Sequence, residues 1–422
     1  MSDDYTDVSL SGVSVSSTNS DFRLLWIGQT SSVVAGQIGD VSVRLLAATT
    51  LAVTPFHLGL LAAAQTVGFL LVALPAGVLA DRVSKRPLLI GCDLVRAGSL
   101  LAVPVLWWLD WLTFTQLLII TLAAGLSQVI FDVTYQSYVP MLVGRAGLVV
   151  TNGRLESSRS AAVAGGPALG GMLTQLATAV GAIGVSAVGY LGSAAMLWRI
   201  RTSEPPIPKQ GRRSIAADVI EGLRFVMANP LLRVTTAAAA IFNFCYGMMQ
   251  PLVILLLVRQ LGLPDWMVGI LLALAGVGGI LGALVAGPVA GALGRARVIW
   301  LAELVCVPSF LLLPAAGAGL QMVLFAAGYM LLHVALSVFN VANLSFRQAI
   351  CPDRLLGRMN ASVRFLMWGA LPLGALVGGL AGEHLSARGG LVVAGLGVFL
   401  AVAVLLASPL RSMRDLPMEA QS

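Results

Sequence analysis

Between Phe22 and Leu410 the sequence is a succession of long apolar runs, cut roughly every twenty to thirty residues by short turns that carry Arg, Gly, Pro and Asp. A bilayer-spanning helix needs about 20 consecutive apolar residues, so each run has the length of a span and each turn the length of a connection. The chain offers such runs no other solvent. Only 11% of its residues are charged and 58% are hydrophobic, where a soluble domain carries about 25% charged residues. Mean hydropathy is +0.90. Hydropathy and helix breakers predict twelve helices, at roughly 23–52, 58–80, 87–109, 113–139, 155–178, 180–199, 231–260, 266–290, 297–316, 319–345, 358–382 and 388–408.

Residues 1–22 form a polar tail without a basic n-region or a short apolar core, so no cleavable signal is expected. The basic residues set the orientation. Nineteen of the 26 lie at the N-terminus, in the even-numbered loops or in the C-terminal tail; five lie within predicted helices, and only Arg259 and Arg388 fall on the other side. Lys and Arg collect on the cytoplasmic face, which places both termini there. The one long polar interruption, residues 200–230, separates six helices (23–199) from six more (231–408), and 409–422 is a C-terminal tail. Within the interruption Glu204 to Arg213 reads as an exposed linker. Ser214 to Met227 reads as an amphipathic helix on the inner surface, with Ile215, Val219, Ile220, Leu223 and Val226 on one side. The net charge of +7 comes from residues that punctuate spans and form no patch, which argues against nucleic acid as a partner. Cys92, Cys245, Cys306 and Cys351 lack metal or disulfide spacing, and His57, His333 and His384 form no cluster. No cofactor is expected.

The two groups of six repeat. Gly77–Arg86 lies over Gly287–Ala296 and Asp93 over Glu303 at an offset of 210; Phe131-Asp132-Val133 lies over Phe339-Asn340-Val341 and Asn152 over Asn360 at 208. Parallel repeats about an axis along the membrane normal give an all-α membrane protein of two pseudo-symmetric six-helix bundles.

Two stretches make this more specific. Gly77, Asp81, Arg82, Lys85 and Arg86 sit in the turn between the second and third predicted helices, in the order small, x, Leu, Ala, Asp, basic, x, x, basic, basic. This resembles the loop signature of the major facilitator superfamily, departing at Ser84, where the family has Gly. The resemblance implies that Asp81 latches the two halves together near Gly357–Asn360, where it can accept amide hydrogen bonds at a helix N-terminus; a turn that only sets topology is the other reading. Gly153, Ala162, Gly166, Pro167, Gly170 and Gly171 resemble the antiporter signature of the fifth helix, with Ala162 in place of Gly. Small residues let helix backbones touch in lipid, and Gly278, Gly282 and Ala286 of the eighth predicted helix offer a matching strip across the interface. Asp93-Leu-Val-Arg96, Asn152 to Arg159 and Arg347 to Asn360 look like the macrolide-efflux and enterobactin-exporter branch. Together these resemblances imply a drug/proton antiporter of the bacterial inner membrane, monomeric, with protons and a small amphipathic molecule as its partners. An importer on the same fold, and a non-transporting accessory or sensor, are the rival readings.

Ionisable residues inside spans are costly and mark function by default. Asp40 and Arg44, one turn apart in the first predicted helix, are expected to face the central cavity, Asp40 as proton site and Arg44 as its tuning charge; a self-satisfied pair is the alternative. Asp132 lies on a stripe with Gln128 and Gln136, and either lines the cavity or pairs with Arg96 or Arg159. Glu156 and Arg159 in one half and Arg364 in the other suggest a cytoplasmic gate, against local pairing within one helix. Asp93, Arg96 and Glu303 read as braces within their own halves. Gln65, Asn243, Tyr246, Gln250, Asn340, Asn343 and Trp368 complete the candidate cavity. No phosphate-binding loop, zinc spacing or nucleophile with an oriented base is present, so the protein is not expected to be an enzyme and its energy must come from an ion gradient.

Overall fold

A computed structural model describes residues 15–202, 204, 215–351 and 353–415. Among them every regular element is helical: α1 Val15–Leu45, α2 Pro55–Thr66, α3 Gly68–Leu71, α4 Ala73–Arg82, α5 Lys85–Trp108, α6 Phe114–Arg199, α7 Ile215–Ala228, α8 Pro230–Ile254, α9 Asp265–Leu293, α10 Arg295–Leu312, α11 Met322–Ile350, α12 Asp353–Trp368 and α13 Ala370–Leu406. Seven of the described helices are long and apolar enough to cross a membrane.

Side-chain caps fix where helices begin. Thr54 accepts from the His57 amide ahead of Pro55 in α2; Thr113 and Gln116 form a reciprocal capping box on α6; Asn229 Oδ1 accepts from the Leu231 and Leu232 amides ahead of α8. Two helical stretches, 151–199 and 358–406, are far longer than a bilayer is thick. Both turn back on themselves. Residues 158 and 174 meet residues 26 and 42 of α1, whereas 186 and 193 meet 35 and 28, so the chain reverses at Thr178, whose φ is +65°. Gly374 and Gly378 pack along Phe244 and Met248 of α8, whereas Gly397 returns to Cys245, with the reversal at Ser386 (φ +68°). Both reversals fall where the sequence places breaks.

Two predicted helices are interrupted. The one expected at 58–80 is split into α2, α3 and α4; the break at Val72 arises because Pro75 lacks an amide and its ring crowds the Leu71 carbonyl. The one expected at 358–382 is split at Gly369 into α12 and α13. The breaks face each other across the halves: Phe69 packs edge-on against Trp368 at 4.6 Å between ring centroids, beside Gly369.

At the linker end each half is closed by a carboxylate. Glu204 accepts from the Lys85 and Arg86 amides (2.7 and 2.6 Å) at the start of α5, and Arg86 Nε donates to the Leu197 carbonyl. Asp415 accepts from the Arg295 amide (3.2 Å) at the start of α10, the pseudo-symmetric position. Asp21 adds a second clamp, accepting from the amides of Arg201 and Thr202 and from the Thr202 hydroxyl. Burial raises the affinity of Asp21 for a proton, but the Thr202 and Arg201 hydrogen bonds outweigh it and hold the carboxyl below its ordinary range. The amphipathic helix forms as α7 and lies on α12, where Gly222 meets the Arg358 carbonyl and Glu221 pairs with Arg358. The linker thus grips one half through Arg201, Thr202 and Glu204 and the other through α7.

Removing the cap with Glu204→Ala should lower stability by about 1–2 kcal/mol, read as a lower Tm. Because the Asp21 carboxyl is depressed, its contribution is present at neutral pH and lost as pH falls below about 4. Asp21→Asn should therefore lower Tm at pH 7, with the difference from wild type closing in acid.

Candidate functional site

A cavity of about 360 Å³ opens into the N-terminal bundle among α1, α2, α5 and α6; Asp40, Arg44, Gln65, Arg96, Gln128 and Asp132 line it. A neighbouring cavity of about 340 Å³, lined by Gln29, Asn152, Glu156 and Arg159, lies toward the linker end.

Asp40 and Arg44 do not meet directly; Gln65 stands between them. Its Nε2 donates to Asp40 Oδ1 (3.3 Å), and its Oε1 accepts from Arg44 Nη2 and Nε (2.8 and 3.3 Å). The third Arg44 bond leaves the half, from Nη1 to Gln250 Oε1 on α8 (3.0 Å). Arg44 is therefore a cross-half strut as well as a neighbour of Asp40. Asp132 is bridged in the same way. Gln128 Nε2 donates to Asp132 Oδ1 (2.8 Å) while Gln128 Oε1 accepts from Arg96, so Asp132 bonds neither Arg96 nor Arg159 directly. The short amide between acid and base keeps both hydrogen-bonded without discharging one against the other.

Arg96 is almost fully buried and pairs with buried Asp93; its guanidinium sits 4.4 Å from both the Phe131 and Tyr190 rings. This is a brace, stabilised by cation–π contact. The repeat partner of Asp93, Glu303, is also buried, at 1% exposure, but both its oxygens lack a hydrogen-bond partner, because the position equivalent to Arg96 at the same offset is Cys306. The brace holds in one half and is lost in the other.

Glu156 and Arg159 pair with each other through two bonds of 2.9 Å, and their side chains are 60% and 58% exposed. Arg364 is not their partner: it reaches Gln136 (3.4 Å) across the halves and lies over the Trp368 ring. In this conformation Glu156 and Arg159 are paired within one helix. Among the remaining candidates, Asn243 turns back to its own helix at Ala239 O, Asn343 is buried, and Tyr246 bonds His333. Asn340 is exposed and makes no side-chain contact that ties it to the cavity lining. The side chain of Asp81 and the whole-residue surroundings of Gly357 lie outside the described residues; Gly77 and Arg82 belong to α4 and its end, which neighbours α12.

The glycine motif divides between two partners. A Cβ on Gly166 or Gly170 would strike Gln37 or Ile38 of α1, within the same half; Pro167 and Gly171 face α9, where a Cβ on Gly171 would lie 2.5 Å from the Asp265 carbonyl and 2.8 Å from Gly269 Cα. Gly153 has open space around it. The expected strip on the other side is corrected: Gly278 and Gly282 pack against Met330, His333, Val334 and Ser337 of α11, and the strip that meets the fifth-helix motif is Gly269 and Gly276. Their spacing of seven from 269 to 276 puts them on one face, as the chosen residues 278, 282 and 286 are on another. Gly59 and Gly379 repeat the close approach between α2 and α13.

Beside these contacts Arg259 donates to the carbonyls of Ala48 (3.1 Å) and Val53 (2.5 Å) of the other half. Ala48 lies in the π-helical turn Leu46–Thr50 and Arg259 in the π-helical turn Leu255–Gln260, while Val53 lies in the connection that leads to α2. Sequence reasoning left Arg259 as an exception to the charge bias, and that exception was its signal.

The fold and the site can be set beside known proteins. A family model described as transmembrane secretion effector, within the major facilitator superfamily, matches residues 15–422. The chain belongs to this family. Its members share the transporter fold and are not enzymes. The multidrug efflux pump Tap of Mycolicibacterium fortuitum is 26% identical over 233 residues, which span 53% of this chain and 56% of Tap. The chain thus matches little more than half the length of that relative. The MFS-type transporter y4rN of Sinorhizobium fredii is 27% identical over 396 residues, 92% of this chain and 94% of that protein. Among solved structures, the nucleoside transporter NupG (TM-score 0.73, 12% identity, 92% and 98% covered) and a bacterial homologue of the iron transporter ferroportin in an inward-facing state (0.72, 16%, 92% and 98%) share the fold.

A side chain at Gly171 has no room without separating α6 from α9. Gly171→Val should cost this family member about 1–3 kcal/mol through overpacking, measured as a fall in Tm, and should shift any disulfide cross-link engineered across that interface to lower yield. Gly153→Val, in open space, should do neither.

Proposed function

We propose that this transporter is a proton-coupled exporter of amphipathic small molecules, such as drugs, natural products or siderophores, working by alternating access. The observation that carries the reading is the arrangement of Asp40: a carboxylate in a cavity inside the bundle, tied through Gln65 to an arginine that also holds the opposite half. Protonating Asp40 removes the charge that balances Arg44, and Arg44 is a cross-half bond. Loading and unloading a proton therefore acts on the contact that must break when the halves rock. Asp132, bridged to Arg96 by Gln128, is a second acid within the same cavity. The cavity sets charged and polar groups beside apolar ones such as Val33, Val43, Phe69 and Leu100, a mixed lining that an amphipathic guest can match.

Twelve spans with both termini in the cytoplasm fit the charge bias and the two reversals at Thr178 and Ser386. The drug/proton antiporter reading, in the macrolide-efflux and enterobactin-exporter-like branch, draws on the spaced Gly166-Pro167-Gly170-Gly171 and on the similarity to a relative named as a multidrug efflux pump. A bacterial inner membrane and a monomer are part of the same reading. Asp81 is assigned the role of latch in the outward-facing state, and Glu156, Arg159 and Arg364 that of a gate whose acid and base exchange partners as the cytoplasmic end closes.

The test is expression of wild type and Asp40→Asn at equal levels in a host lacking its own pumps, with growth inhibition measured across macrolides, tetracyclines, cationic dyes and catecholate compounds. Wild type should confer resistance to at least one of them, Asp40→Asn should abolish it, and inverted vesicles should accumulate that compound when acidified inside. Proton-driven export undiminished in Asp40→Asn rejects the assignment.

A further inference from the structure

The two halves meet along two seams, and the seams differ. One joins α6, in its run from 151 to 178, to α9 in the antiparallel direction. Away from the linker it is shut: Gly171 meets Gly269, and further along Gly276 meets Val163 and Ala164. Eighteen residues make about five helical turns, so Gly153 shares the face of Gly171, and Gly287 the face of Gly269. Had the helices stayed together, Gly153 would lie against Gly287. Instead neither has a described neighbour within 4 Å of where its Cβ would stand. The second seam joins α2, α3 and α4 to α12 and α13. It is shut where Gly59 meets Gly379, and stays shut toward the linker, where Phe69 packs on Trp368 and α12 lies on α3 and α4. Among the described residues, therefore, the halves have parted along one seam and not the other. The gap has two unlike walls. On α9, Ile280 and Leu284 lie on or beside the parted face, both exposed. On α6, Ser157 and Ser160 lie there, with Glu156 and Arg159 paired on the flank that leads to the cavities. The point of parting is itself a cavity wall. Val163, which meets Gly276, lines the Asp40 cavity; Glu156 lines the neighbouring one, and Arg159 lines both.

We propose that this gap is a lateral portal, through which an amphipathic guest dissolved in the leaflet on the linker side reaches the Asp40 cavity. The proposal names a route and a partner for the export reading and rests on it. A lipophilic molecule concentrates in the bilayer, because apolar surface moved into water is penalised in proportion to its area. A route that starts in the leaflet therefore needs an apolar wall for the body of the guest, and Ile280 and Leu284 supply one. The head needs a hydrogen-bonding wall, and Ser157, Ser160 and the Glu156–Arg159 pair supply that. The acid and base of this pair are bonded to each other, so the wall carries no net charge. The guest that fits is an amphipath with an uncharged or zwitterionic head, its body along α9 and its head along α6. The ion pair stands at the threshold, where the gap meets both cavities. The other seam offers no such passage, because Phe69 and Trp368 fill it.

The experiment is photo-cross-linking of the full-length protein in lipid nanodiscs. The probe is a long-chain alcohol with a diazirine on its chain, and its adducts are located by mass spectrometry. Wild type should carry adducts on Ile280 and Leu284 and also on Val163 or Val33 inside the cavity. Gly287→Trp sets an indole into the gap from α9, and Ser157→Trp does so from α6; both positions are exposed, so the variants should fold, which a melting scan checks. Each should cut the cavity adducts several-fold and leave those on exposed Leu396, far from the gap, in place. Gly91→Trp, in open space on α5, should change neither. Wild type without adducts inside the cavity overturns the proposal. So do cavity adducts that persist in both Gly287→Trp and Ser157→Trp, since the probe then enters by another way. Neither result decides the growth test of Asp40→Asn. Export lost in Asp40→Asn with no labelling through the gap rejects the portal alone, and labelling through the gap with export intact in Asp40→Asn rejects the coupling alone.

Discussion

An arginine inside a bilayer has to keep its guanidinium hydrogen-bonded, because unpaired charge in hydrocarbon costs several kcal/mol. Arg44 meets this demand with one glutamine from each half. The bond that solvates the charge is therefore also a bond between the bundles, and separating them exposes the charge. The same logic runs through the site. Gln65 and Gln128 each stand between a carboxylate and an arginine, so the acids keep hydrogen bonds without a locked ion pair. Asp93 and Arg96, which do pair directly, are buried under two aromatic rings and serve as a brace.

The halves meet through backbone where side chains are absent. Gly171 with Gly269 and Gly59 with Gly379 bring helices together more closely than any larger residue permits. Arg259 adds hydrogen bonds to two carbonyls of the opposite half near the same end. The seal is built from van der Waals contact and backbone acceptors, and the polar chain through Arg44 lies deeper. One end of the interface is thus apolar and close-packed, while toward the linker Glu156 and Arg159 remain open.

Much of the fold was legible because hydropathy and breakers act locally. The linker helix, the turn at Thr178 and the break near Ser386 each follow from a few adjacent residues. The interruptions at Val72 and Gly369 were missed, although Pro75 signals the first; an apolar run of span length hides a kink that costs little when a neighbour fills it. In the site, residue types and helix faces were readable for Asp40, Arg44, Gln65, Gln250 and the Asp132 stripe. The partners were not. Whether Arg44 bonds Asp40 directly or through Gln65 depends on the rotation of α2 against α1, which no single-helix spacing fixes. Gly278 was preferred to Gly276 for the same reason: both lie on a Gly-rich helix, and only the packed neighbours decide which face meets α6. Glu204 and Asp415 were invisible as caps because their partners are 119 and 120 residues away.

The central claim is that the proton state of the Asp40 and Arg44 chain sets the contact between the halves. It is tested most directly by the distance between spin labels at Ser157→Cys in α6 and Ser345→Cys in α11, both exposed, with the four native buried cysteines replaced and the protein held in nanodiscs. The account predicts a distance distribution that shifts between acid and neutral pH in the labelled parent and is frozen by Arg44→Gln. A distribution that responds to pH equally with and without Arg44 would contradict it.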